Sequence, residues 1–260
     1  MNKLYINNRD GNQVCVVVEG ETNRNKLAFV MHGLGGNKQL PHDRAMIEAF
    51  LENGYVVVSF DVVHTFGESK GGMYEDATVT NYYADFEDVV NWASTQAWYS
   101  EPFVLCGHSL GGMSVALYAE KHPEKVKALA PISLVVSGEL SLKIHSMFPG
   151  LENLDEWKRD GIWVTKNDDG TIEKQLKWAY VEDRSKYSTL TEIDRLKMPV
   201  IVIVGEKDDR TPPVHQQIFY DKLPGKKEMH IIKNAQHSFN EPSEQEELKH
   251  LLLTWLHSLE

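Results

Sequence analysis

The chain has 260 residues, long for one average domain and normal for a single large α/β domain carrying an insertion. Hydrophobic residues make up 42% and charged residues 25%, the balance of a soluble globular protein with a sizeable core. Net charge is −11, from 27 Lys and Arg against 38 Asp and Glu, with no basic run, which argues against nucleic acid or an anionic membrane surface as partner because both need clustered cations.

Residues 1–8 lack an apolar signal region, and no run is long enough to span a bilayer, so a cytoplasmic location without a stable membrane anchor is expected. Short β-branched runs at 13–19 and 27–31 read as strands. A helix is predicted over 41–52, closed by Asn53 and Gly54 as a C-cap. A strand at 55–60, a helix over 80–96, a strand at 103–106 and a helix over 109–121 follow. His122-Pro123 stops the last of these, since proline cannot continue a helix. Cys15 in VCVVV and Cys106 in FVLCG sit in apolar runs and read as reduced buried thiols, not as a disulfide or a metal site.

After a strand at 126–131 the rhythm breaks. From about Leu134 to Arg195 aromatics replace it: Phe148, Trp157, Trp163, Trp178, Tyr180 and Tyr187. Asn167-Asp168-Asp169-Gly170 within this stretch is a tight-turn signal for a hairpin. The alternation resumes at Met198-Pro199, with strands at 200–204 and 228–232 and helices over 213–223 and 243–258. Strands alternating with helices predict an α/β fold, a mostly parallel central sheet with helices on both faces. Residues 1–133 and 196–260 are expected to form this one core domain, and 134–195 a small inserted cap over the sheet.

Gly107-His108-Ser109-Leu110-Gly111 lies between the strand at 103–106 and the helix that follows. A Gly-x-Ser-x-Gly pattern alone is weak, matching a chain this long by chance roughly one time in ten. On a strand-to-helix turn it gains meaning: the serine is lifted above the sheet, bulky neighbours are forbidden, and the helix N-terminus favours developing negative charge. A serine hydroxyl needs a base. His237, in Asn234-Ala235-Gln236-His237-Ser238-Phe239 just after the last strand, is the candidate, because loops at the carboxyl ends of parallel strands gather catalytic groups. Asp208, in Gly205-Glu206-Lys207-Asp208, is the candidate carboxylate to fix that imidazole, preferred over Asp209 and Glu206. The backbone amides of Leu34 and Leu110 are the candidate oxyanion donors, Leu34 from the Gly-rich loop His32-Gly33-Leu34-Gly35-Gly36. Without Gly-x-Gly-x-x-Gly or a Walker Lys, that loop is a weak candidate for a phosphate cradle. His32, Gly33, His108, Phe148, Trp157, Trp163 and Trp178 are the candidate substrate-contacting residues, although His108 is also suited to local packing or hydrogen bonding.

Four motifs in this order, HGLGG (32–36), GHSLGG (107–112), GEKD (205–208) and AQHSF (235–239), resemble the α/β-hydrolase superfamily over nearly the whole chain. HGLGGNK followed by His42, and FGESKGG (66–72), are similar to the monoacylglycerol lipase-like and cinnamoyl or feruloyl esterase-like members. The resemblance implies an α/β-hydrolase fold, a serine esterase acting through an acyl-enzyme on Ser109, Leu34 and Leu110 as oxyanion donors, and no cofactor. It departs from the usual Asp-x-x-Gly-His-Gly-x-Ser pattern at Asp61–Ser69, which is one residue longer, so substrate preference does not carry over. A small-molecule ester is the expected partner. A serine aminopeptidase or amidase, a ligand-binding receptor of this fold with negligible turnover, and a homodimeric state all stay open.

Overall fold

A computed structural model describes residues 2–22, 25–148, 151–167 and 171–259. Its sheet has eight strands in the order β1-β2-β4-β3-β5-β6-β9-β10. In chain order these are β1 (Asn2–Asn7), β2 (Gln13–Glu19), β3 (Leu27–Met31), β4 (Val56–Asp61), β5 (Phe103–His108), β6 (Val126–Ile132), β9 (Val200–Gly205) and β10 (Lys227–Ile232). β2 runs antiparallel to β1 and β4, and every other pairing is parallel. β1 escapes a sequence reading because it is a half-solvated edge: Leu4 and Ile6 face inward while Lys3 and Tyr5 face out, and its six residues lack a long apolar run.

The central strands are buried on both faces, and their alternating side chains feed two separate cores. Phe29, Met31 and Leu105 point to one, packed beneath α2 (Val79–Ala93), α3 (Leu110–Lys121) and α7 (Pro213–Lys222). Val30, Cys106, Ala130 and Ile203 point to the other, beneath α1 (Pro41–Glu52) and α8 (Pro242–His257). α1 ends as its sequence demands: Gly54 takes φ +78°, and the amides of Gly54 and Tyr55 cap the Leu51 and Phe50 carbonyls. α2 starts at Val79 because Thr78 and Asn81 form a reciprocal capping box, and it stops at Ala93, three residues before the expected end. Among the described residues no helix is long and apolar enough to cross a membrane.

Between β6 and β9 the chain forms α4 (Gly138–Met147), α5 (Leu154–Asp160), an antiparallel hairpin of β7 (Ile162–Lys166) and β8 (Ile172–Lys177), and α6 (Ala179–Arg184). The turn expected at 167–170 joins these two strands, but Asp168, Asp169 and Gly170 lie outside the described residues. Trp157 is the segment's buried centre: its Nε1 donates to the Leu176 carbonyl at 2.9 Å, and Trp163, Trp178 and Tyr180 pack around its rings. The segment is anchored to the core through Asp183, which accepts hydrogen bonds from the Thr80 amide and hydroxyl at 2.9 and 2.8 Å. Lys177 adds an ion pair to Asp76 at 2.6 Å.

Candidate active site

Ser109 sits where β5 hands over to α3, with φ 55° and ψ −115°, a conformation that non-glycine residues seldom adopt. The turn is held by the Ser109 amide donating to the Ile132 carbonyl at 2.9 Å and the Val135 amide donating to the Ser109 carbonyl at 3.1 Å. Only glycine fits beside it. A Cβ at Gly107 would lie 2.5 Å from the Gly111 carbonyl oxygen, and one at Gly33 would lie 2.9 Å from the Ser109 Cβ. The Gly33 spacing shows that the backbone of the loop after β3 passes directly against the serine.

β9 and β10, parallel neighbours, deliver the other two groups from their carboxyl ends. Asp208 is almost wholly buried and accepts from the Arg210 amide at 2.9 Å and the Thr211 amide at 2.8 Å. Its Oδ2 lies 2.8 Å from His237 Nδ1. Burial pushes the Asp208 carboxyl up, but the charge and hydrogen bond of His237 and the Thr211 amide outweigh it, holding the group well below the usual carboxylate range. An ionised Asp208 has no proton to offer, so His237 Nδ1–H is the donor. That leaves Nε2 to accept from the Ser109 hydroxyl at 2.9 Å. Asp209, more than half exposed and 3.8 Å from Arg210 Nε, and Glu206, which accepts from the Asn234 amide, are not part of this chain of bonds.

The His237 loop is buttressed from below. The His108 ring donates through Nε2 to the His237 carbonyl at 2.9 Å, and the His42 ring packs on His108 at 4.4 Å between centroids. Burial above all keeps both rings neutral, bringing His42 down to about 4 and His108 well below the histidine range. His32 is likewise internal: its Nε2 accepts from the Val62 amide at 3.1 Å and its Nδ1 donates to the Gly33 carbonyl at 2.7 Å.

A cavity of about 320 Å³ opens over Ser109 and His237. Leu34 lines it, and Trp157 and Trp163 close it from the 134–195 segment. The remaining candidates for substrate contact do not line it. His32, Gly33 and His108 lie beneath, spent on holding the loops. Trp178 stands behind Trp157 with its Nε1 on Glu182, and half-buried Phe148 caps the end of α4. Among the described residues the amides of Leu34 and Leu110 donate to no backbone carbonyl. Tyr74, Tyr180, Glu152, Arg184 and Arg210 also line the cavity. They are scattered through aperiodic sequence, and no local pattern marks them.

One group of three potential metal ligands comes together among the described residues: Cys15, Asp61 and Glu68, within 4.8 Å of one another. The Lys38 ammonium already sits against both carboxylates there, 2.6 Å from Asp61 and 2.9 Å from Glu68. This buried pair, with the Glu68 amide donating to Asp61 at 2.8 Å, pins the lengthened 61–69 loop to the sheet.

Comparison with known proteins follows the same lines. The ferulic acid-bound structure of Est1E from Butyrivibrio proteoclasticus superposes with a TM-score of 0.80 at 22% identity, covering 98% of both chains. The mouse alpha/beta hydrolase domain-containing protein 10 gives 0.78 at 19% identity over the whole of both chains. In sequence, the mitochondrial palmitoyl-protein thioesterase ABHD10 of Bos taurus is 25% identical over 170 residues, 64% of this chain and 52% of that protein. The chain spans between a third and about half of the length of the curated relatives it matches. Residues 29–160, which run from β3 through the Ser109 turn to the end of α5, match the family model for the alpha/beta hydrolase fold. A serine held between β5 and α3 of a mostly parallel sheet, together with that match, makes this chain a member of the alpha/beta hydrolase fold family.

Proposed function

We propose that this protein is a serine hydrolase that cleaves small-molecule carboxylic esters through an acyl-enzyme on Ser109, with residues 134–195 as an inserted cap. The observation that carries this is the unbroken chain Ser109–His237–Asp208, at 2.9 and 2.8 Å, at the floor of an aromatic cavity. His237 Nε2 takes the Ser109 proton as the hydroxyl attacks the ester carbonyl, and ionised Asp208 stabilises the imidazolium. The amides of Leu34 and Leu110 hold the oxyanion of the tetrahedral intermediate. His237 then gives its proton to the departing alcohol. Water, deprotonated by His237, attacks the acyl-enzyme and releases the acid and free Ser109. These steps use protein groups alone. The relative named as a palmitoyl-protein thioesterase supports acyl transfer as the reaction class.

The test is Ser109→Ala. Turnover of a p-nitrophenyl ester is expected to fall by about 10⁴-fold or more, with the urea unfolding midpoint nearly unchanged. Labelling by a fluorophosphonate is expected in the wild type and not in the variant. Near wild-type turnover in Ser109→Ala would overturn the mechanism. Comparing an aminoacyl anilide with a short-chain ester separates amide from ester cleavage, and measured turnover separates an enzyme from a receptor.

A further inference from the structure

The protein carries a net charge of −11, yet the cavity over Ser109 is bordered by Lys174, Arg184 and Arg210 against a single acid, Glu152. Glu152 is already engaged: Arg210 Nη1 lies 2.6 and 2.9 Å from its two oxygens. Arg184 is different. Its Nε and Nη2 are buried and have no hydrogen-bond partner among the described residues. The acids beside it in sequence are committed elsewhere, Asp183 to Thr80 and Lys186, and Glu182 to Trp178. His145, also on this wall, is lowered from its ordinary value first by burial and then by the charges of Arg184 and Arg210, against the opposing pull of Glu152.

The position of Arg184 is built in. Its guanidinium lies over the Tyr180 ring, 4.9 Å from Cζ to the centroid. Its backbone is wedged against α4 so closely that a Cβ on Gly138 would come within 2.2 Å of the Arg184 carbonyl oxygen. Buried guanidinium nitrogens left without partners are costly, and the cost is relieved when an anion reaches them. Nε and Nη2 form one edge of the planar fork, the edge that takes both oxygens of a carboxylate in parallel hydrogen bonds.

We infer that the ester cleaved at Ser109 carries a carboxylate remote from the scissile bond, and that Arg184, on the cavity wall, receives it by turning its Nε–Nη2 edge, closed to water in this structure, toward the ligand. The inference rests on the serine-hydrolase reading above and assigns its substrate class: acidic esters with an apolar or aromatic body that fits between Trp157, Trp163 and Tyr180.

The experiment compares esters that differ only in carboxylate against carboxamide, at low ionic strength. On the acyl side the pair is the p-nitrophenyl monoester of suberic acid and its terminal carboxamide; on the alcohol side it is 4-acetoxybenzoate and 4-acetoxybenzamide. The acidic member of at least one pair is expected to lead by about tenfold or more in kcat/KM, chiefly through KM, as loss of one charged hydrogen-bonding partner implies. Arg184→Met is expected to erase that lead, so that the acidic ester and its carboxamide show the same kcat/KM in the variant. Arg184→Lys, which keeps the charge and loses the fork, is expected to retain part of it. Equal turnover within both pairs in the wild type, or a lead that survives in Arg184→Met or in Arg184→Gln should the first fail to fold, would overturn the inference. Absence of turnover for all four esters would instead sink the hydrolase reading beneath it.

Discussion

The two walls of the cavity differ in how their polar groups are satisfied. On the sheet side the side chains around Ser109 have partners inside the fold: Asp208 takes two amides and His237, His237 takes Ser109, and His108 holds the His237 carbonyl. On the side contributed by residues 134–195, Trp157 Nε1 donates to the Leu176 carbonyl, while Arg184 Nε and Nη2 have no hydrogen-bond partner among the described residues. The difference teaches which wall is pre-set. Chemistry that must work without reorganisation belongs where every dipole is fixed before substrate arrives. Recognition can be left to groups that a ligand completes.

The sharpest way to break this contrast is Asp208→Asn. The amide keeps the shape but removes the charge and offers His237 the wrong tautomer, so kcat for any ester is expected to fall by about 10³–10⁴-fold, whatever its acyl group. Steady-state kinetics on acetyl and longer esters checks this, and a loss confined to one ester would move Asp208 out of the common machinery. Next in size is Gly33→Ala, whose methyl would come 2.9 Å from the Ser109 Cβ and displace the loop that carries the Leu34 amide. A fall of about 10²–10³-fold in kcat is expected, the size of losing one oxyanion donor. An unaffected kcat would place the oxyanion site elsewhere. The smallest effect is assigned to the other wall. Trp157→Phe removes the Nε1 hydrogen bond to the Leu176 carbonyl and is expected to cost about 1–3 kcal/mol of stability, read from the urea midpoint, with kcat for a short acetyl ester little changed. A large drop in acetyl-ester kcat would mean that this wall also sets the chemistry.

The fold was legible because its signals are local. β3, β5, β6 and β9 are apolar runs buried on both faces, and α1 and α3 carry their own stop signals at Gly54 and His122-Pro123. Ser109, Asp208 and His237 could each be picked out for a topological reason: all three follow the carboxyl ends of parallel strands in one sheet, at β5, β9 and β10. Phe148 and Trp178 show the opposite case. Residue type suggested that they contact substrate, but a cap end and a second packing layer hold them away from the cavity. His32 lies in the loop that carries Leu34 and His108 lies beside Ser109, yet both ring nitrogens of His32 and the Nε2 of His108 are spent on backbone partners.

By itself the sequence determined the buried strands of the sheet, the elbow at Ser109 and the order of the three polar residues, since each depends on contacts within a turn or on the run of apolar residues along one strand. Tertiary structure alone decided which side chains share the cavity. Tyr74, Glu152, Arg184 and Arg210 come from four separate stretches of chain, and no periodicity links them. Whether a guanidinium ends up paired, as in Arg210, or with two nitrogens lacking a partner among the described residues, as in Arg184, depends on which acid the packing brings within reach of its nitrogens.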